Sequence, residues 1–116
     1  MYIVKIATLN INGMSATTRL GMLSTFINRH GLDVLLLQDV TNPDTLKFIG
    51  YEIHHNFGTT MCGNAILVRQ AMTITNVHKL PLGRVISVEY SGLKLINVYA
   101  PSGSARQTER ETFFNT

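Results

Sequence analysis

The sequence predicts an α/β (α+β) domain, a mixed and mostly antiparallel sheet with flanking helices that amounts to half of a larger sandwich. Three observations carry that expectation. The first 40 residues read strand, helix, strand, the pattern of a β-α-β unit. From residue 51 onward the apolar runs are short and separated by turn residues, which suits antiparallel strands. The helical segments are too few to cover both faces of such a sheet, so one face is expected to lack a cover within this chain. At 116 residues the chain reads as a single partial domain, 1–116.

Each element has a local reason. Tyr2 to Leu9 is rich in β-formers and apolar on both faces, as a central strand should be, and the turn-forming run NING (10–13) breaks it. Leu20, Leu23 and Ile27 recur at helical spacing, so a helix is expected over 17–30. Ser15 or Thr17 would cap it, and Gly31 stands where a left-handed C-terminal residue is wanted. Asp33 to Gln38 forms the second strand, closed by Gln38 and Asp39. The run TNPD (41–44) is a turn, with Asp44 capping a short helical turn to Ile49. Strands are expected over Tyr51–Phe57, Cys62–Arg69 and Met72–His78. Arg84–Tyr90 and Leu93–Tyr99 flank Ser91-Gly92, a two-residue hairpin signal. Ser104 with Gln107 forms a capping-box pattern that opens a last helix reaching Phe113 and Phe114.

Composition narrows the class. With 45% hydrophobic and 15% charged residues the chain is globular material, not a disordered tail. Its net charge of +3 is compatible with a polyanionic partner and equally with none. Cys62 is the only cysteine, which excludes an internal disulfide and a thiolate metal cluster. The opening YIVKIATLNI carries Lys5 and lacks a small-residue cleavage site, so it reads as a strand and not a signal peptide. No run approaches the ~18 apolar residues of a membrane span. An intracellular, soluble protein without a membrane partner is expected.

The polar residues at strand ends are the candidates for chemistry, because sites in α/β architectures collect just past strand C-termini. Asn10 and Asn12 follow the first strand, Gln38 and Asp39 close the second, and Asn97, Tyr99 and Ser102 lie on or after the last. If the first two strands are parallel neighbours, Asn10 and Asp39 emerge on one edge. A carboxylate beside amides and hydroxyls suits Mg²⁺, which takes one or two carboxylates and keeps waters for substrate phosphates. The competing readings are an Asp39 that forms a turn or caps a helix, turn asparagines at 10 and 12, and a half-buried Tyr99. His54 and His55 are adjacent and point to opposite faces of a strand, and His30 sits at a helix end favourable to its cation. With His78 they read as structural or surface residues. No GxGxxG, P-loop or HExxH is present.

As a set, IATLNINGM (6–14), DVLLLQDV (33–40), GNAILVR (63–69) and GRVISVEYSGLKLINVYAPSG (83–103) resemble the endonuclease/exonuclease/phosphatase superfamily. More narrowly they resemble the apurinic-type endonuclease domain of non-LTR (LINE-like) retrotransposon polyproteins, and NVYAPSGSARQTERETFF is especially similar to that group. The resemblance implies half of a four-layer, DNase I-like α/β sandwich, Mg²⁺ or Mn²⁺ as cofactor, and hydrolysis of phosphodiesters in DNA. It implies Asp39 as metal ligand and Asn10 and Tyr99 as phosphate-arranging catalytic residues. Ser102 and Asn12 would lie at the substrate, and Arg84, with Lys94, Arg106 and Arg110, would meet the DNA backbone. Two departures stand out. Asp39 replaces the family's Glu with a shorter reach, and the family's D-x-N and S-D-H blocks, which supply a base and a phosphate-facing histidine, do not occur in the 116 residues. The expectation is therefore a DNA-nicking domain that primes reverse transcription in the nucleus, inactive as this fragment. Its partners would be DNA, a complementing C-terminal half or a reverse transcriptase domain. The alternatives are a non-catalytic nucleic-acid-binding remnant, or a base-excision repair or phosphoesterase branch of the superfamily.

Overall fold

The structure, a computed structural model, describes residues 3–11, 20–43, 46–57 and 62–100. The expected caps at Ser15, Thr17 and Asp44, the last helix with Ser104 and Gln107, and the candidates Asn12, Ser102, Arg106 and Arg110 lie outside the described residues. The elements are β1 (Ile6–Asn10), α1 (Leu20–His30), β2 (Val34–Thr41), β3 (Tyr51–Phe57), β4 (Cys62–Arg69), β5 (Asn76–Lys79), β6 (Val85–Tyr90) and β7 (Leu93–Val98). A 3₁₀ turn over Pro81–Gly83 joins β5 to β6.

The strands form two sheets where the sequence suggested one. The first has the order β1-β2-β4-β3, with β1 and β2 parallel and the other pairs antiparallel. The second, β5-β6-β7, is antiparallel throughout. Alternation along β2 and β4 explains the layering. Leu35, Leu37, Ala65 and Leu67 turn to one face and pack with Leu23 and Ile27 of α1. Val34, Ile66 and Val68 turn to the other and pack with Ile86 and Val88 of β6. Both faces of the first sheet are therefore buried, which is why β2 reads as an unbroken apolar run. Among the described residues, exposed apolar side chains of a sheet stand on the second one, at Ile96 and Val98 of β7.

Other boundaries also moved. β1 starts four residues later than expected and keeps Asn10 as its last residue. The strand expected over Met72–His78 is confined to Asn76–Lys79, because Met72 instead packs into the core between the sheets. Residues 46–50 form no helix, and Tyr51 N–H is bonded to Phe48 O at 3.2 Å.

Local chemistry accounts for the turns. α1 ends at Gly31, with φ +58°, and Leu32 N–H donates to Ile27 O at 3.2 Å, the closing bond of a Schellman motif. Past that turn, Asp33 is buried. Its carboxylate accepts from Arg69 Nε at 3.1 Å and from Lys5 N–H at 2.9 Å, tying the starts of β1 and β2 to the last residue of β4 at the end remote from Asn10 and Asp39. Tyr51 donates its hydroxyl to Leu32 O at 2.5 Å, and burial raises its pKa above the usual tyrosine value. Ser91 and Gly92 have φ +47° and +81°, the type I′ hairpin that the sequence indicated. No atom stands within 4 Å of where a Cβ would lie on Gly92, so Gly92→Ala should cost only the left-handed strain, ~1 kcal/mol. Urea unfolding should show a lower midpoint with an unchanged slope.

Candidate functional site

The site is built on a row of amides. In register across the first sheet, Asn10 of β1 stands opposite Gln38 of β2, Gln38 opposite Asn64 of β4, and Asn64 opposite Asn56 of β3. Alternation places this row on the face that meets the second sheet, where it ends the apolar interior. Asn97 of β7 reaches into it and is 1% exposed. Its Nδ2 donates to Leu37 O and Ala65 O, both at 2.9 Å, and its Oδ1 accepts from Gln38 Nε2 at 2.8 Å. Gln38 Nε2 also donates to Thr8 Oγ1 at 2.7 Å. Asn64 Nδ2 returns a bond to Asn97 O at 3.0 Å, and Asn56 Nδ2 donates to Leu80 O at 2.8 Å and Val85 O at 3.1 Å;. The two sheets are thus stitched together at one end by side-chain amides whose donors are bonded largely to main chain.

Immediately beyond this row the ladder between β2 and β4 slips by one residue. Gln38 pairs with Asn64 and Val40 with Gly63, leaving Asp39 unpaired in a bulge at φ +56°. Regular alternation would carry Asp39 toward the layer occupied by Leu35 and Leu37. The bulge gives that place to the fully buried Val40, which packs in the α1-side core, and sends Asp39 out to the edge. Asp tolerates the left-handed backbone better than most residues. Asp39 therefore does not close the strand, as the sequence suggested; it interrupts β2, which continues to Thr41.

From the second sheet Tyr99 meets this carboxylate, donating its hydroxyl to Asp39 Oδ1 at 2.8 Å. The expected residues Asn10, Asp39 and Tyr99 thus gather at one edge: Asn10 is exposed, and Asp39 and Tyr99 are half-buried. Arg84 is 8% exposed, with its guanidinium carbon 4.5 Å from the Tyr99 ring centroid and Nη1 donating to Tyr99 O at 3.4 Å. Lys94 is exposed on β7, opposite Glu89 and away from this edge. Sequence reasoning passed over Asn56 and Asn64. The available signal was two asparagines inside strands, where β-propensity disfavours them.

The site suits a hard cation in the following sense. Asp39 is a half-exposed carboxylate with no lysine or arginine ion pair among the described residues. The exposed Asn10 ends the neighbouring parallel strand, and both offer oxygen donors. Among the described residues no group of three His, Cys, Asp or Glu side chains is placed to hold a metal by itself. The histidines lie elsewhere. His54, on β3, is 3.4 Å from Glu52, and burial lowers its pKa below the usual 6.5, with Glu52 opposing and Lys79 and His55 adding to the shift.

No family model and no curated protein matches the sequence. Solved structures match the backbone. The 3′-5′ exonuclease NExo of Neisseria meningitidis superposes with a TM-score of 0.72 at 26% identity, and an AP endonuclease of Archaeoglobus fulgidus with 0.75 at 19% identity. The fold is that of the endonuclease/exonuclease/phosphatase enzymes. A 3′ phosphatase NExo from Neisseria, bound to a product DNA hairpin, gives 0.73 at 22%. Each alignment covers 97% of this chain and 49% of the other, so the chain spans about half the length of these endonuclease/exonuclease/phosphatase structures.

Two outcomes follow from this geometry. Asn97→Leu removes both donors and the acceptor from a buried junction and should destabilise the chain by ~2–4 kcal/mol in urea unfolding. His54 binds its proton less readily folded than unfolded, so stability should fall as the pH drops through its unfolded value of 6.5. That component should vanish in His54→Gln, seen by comparing urea midpoints at about pH 7.5 and pH 5.

Proposed function

We propose that this chain carries half of a Mg²⁺- or Mn²⁺-dependent phosphodiesterase site that acts on DNA. The observation that carries the reading is the contact of Tyr99 with the bulged Asp39, a hydroxyl from one sheet set on a carboxylate from the other at the edge where Asn10 ends β1. The DNA-processing enzymes that share the fold support the substrate class.

In this reading Asp39, with Asn10 beside it, holds the cation. A divalent ion bound there supplies positive charge to a phosphate oxygen and to the departing oxygen. Tyr99 is held at the edge by Asp39; to serve a phosphate as charge accumulates its hydroxyl would turn its single proton from Oδ1 to the phosphate oxygen. Asn10 offers its amide to the same phosphate. Ser102 and Asn12 are assigned to the flanks of the site on the resemblance alone. Among the described residues no group of three His, Cys, Asp or Glu side chains gathers at Asp39. A base is worth 10²–10⁴-fold in such reactions, so these 116 residues should hydrolyse DNA weakly at best. The base would come from a complementing half carrying the D-x-N and S-D-H blocks.

The narrower origin rests on sequence resemblance. NVYAPSGSARQTERETFF supports an endonuclease domain of a non-LTR retrotransposon, acting on chromosomal DNA in the nucleus beside a reverse transcriptase domain.

Binding of Mn²⁺ to the 116-residue chain, followed through the loss of its free paramagnetic resonance signal, tests the cation site directly. Asp39→Ala should weaken binding by at least ~10-fold, a typical loss for a metal-site residue, while Asp39→Glu should retain it. Any plasmid nicking by the chain should vanish in EDTA and in Asp39→Ala. Mn²⁺ binding indifferent to Asp39, or nicking that survives EDTA, would sink the reading.

A further inference from the structure

We propose that Arg84 is a positioning residue for the Tyr99 phenol, its cation working through the aromatic ring and not on a nucleic-acid phosphate. The inference rests on reading Asp39 and Tyr99 as a phosphate site, and it reassigns the one basic side chain of the sequence motif that reaches that site.

Three contacts bind Arg84 to Tyr99. The guanidinium carbon lies 4.5 Å from the ring centroid, Nη1 donates to Tyr99 O at 3.4 Å, and Tyr99 N–H donates to Arg84 O at 2.7 Å. Arg84 is also buried, at 8% exposure. An arginine that reads phosphates presents its planar fork of donors to the ligand. Here the guanidinium lies against the ring of one neighbour and Nη1 donates to that neighbour's carbonyl, inside the protein.

Tyr99 needs such a hold. It follows Val98, the last residue of β7, and its N–H bond to Arg84 O is a main-chain hold on the backbone, not on the ring. Its ring is half-buried and its hydroxyl donates to Asp39 Oδ1 at 2.8 Å. A cation against the π face and a carboxylate at the hydroxyl grip the ring from two sides, and both attractions are electrostatic. Asn64 Nδ2 anchors the clamp further, donating to Arg84 O at 3.4 Å while bonding Asn97 O two residues before Tyr99. Removing the guanidinium frees the ring to rotate off Asp39 even with the backbone in place.

The test uses the full chain without metal, labelled with 3-fluorotyrosine at its four tyrosines, the Tyr99 ¹⁹F resonance being assigned with Tyr99→Phe. The coupling is read as the change in that resonance caused by Asp39→Asn, in the presence and absence of Arg84. In Arg84→Met, with an amide NMR spectrum showing a folded chain, the coupling should fall to about a quarter or less of the original value in this double-mutant cycle. The salt dependence of binding to a short fluorescent DNA duplex should keep its slope. A slope lowered by about one, the loss of one phosphate contact, with the coupling intact would make Arg84 a DNA-contacting residue and overturn the proposal. Coupling and slope both unchanged would overturn it as well. Should Arg84→Met fail to fold, Arg84→Gln keeps a planar polar group without the charge; there a weakened coupling supports the proposal and a full one rejects it. The ¹⁹F measurement needs neither DNA nor metal, so a chain that binds no DNA would count against the phosphodiesterase reading while leaving this test in force.

Discussion

The buried amide of Asn97 is the constraint on which the rest of this structure depends. It sits where the aliphatic interior between the two sheets gives way to a row of amides, a place where an unpaired amide would cost several kcal/mol and a fully bonded one is tolerated. Its donors reach Leu37 O and Ala65 O, and its acceptor takes Gln38. These bonds select one register of β7 against the first sheet, since a slip by a single residue would put a valine or isoleucine in its place and turn the amide outward. Tyr99 lies two residues further on the same strand path, so fixing Asn97 also fixes where the phenol arrives.

A second irregularity completes the site from the opposite side. In β2 a regular continuation would have buried Asp39 among the leucines under α1, an unacceptable place for a charge. The bulge inserts one residue, hands the interior position to Val40 and leaves the carboxylate at the edge. The strain of a left-handed backbone is small for an aspartate and is offset by burying the valine. The phenol and the carboxylate then meet because the amide junction and the bulge act at neighbouring positions, Gln38 bonding Asn97 and Asp39 accepting from Tyr99. The functional geometry is thus made at two departures from regular β structure, supported by a wholly regular interior.

Much of the fold was legible in the chain. Helical spacing of Leu23 and Ile27 with Gly31 behind them marked α1 and its end, Ser91-Gly92 marked the β6–β7 hairpin, and the apolar run at 34–37 marked β2, whereas the first strand, expected at the centre, stands at the edge of its sheet. Asn10, Asp39 and Tyr99 were identifiable as polar residues at strand ends, and the edge they share followed from parallel pairing of β1 with β2. These features depend on neighbours within a few residues, on backbone preference and on the period of the apolar pattern, all of which the sequence carries locally. The split into two facing sheets did not show, because a period of two says that a strand has a buried face without saying what lies against it. Nor did the bulge at Asp39, the row formed by Asn56, Asn64 and Gln38, or the turning of Arg84 inward against Tyr99. Each arises from pairing between segments some 8 to 60 residues apart, and only the folded register brings those groups within reach of one another.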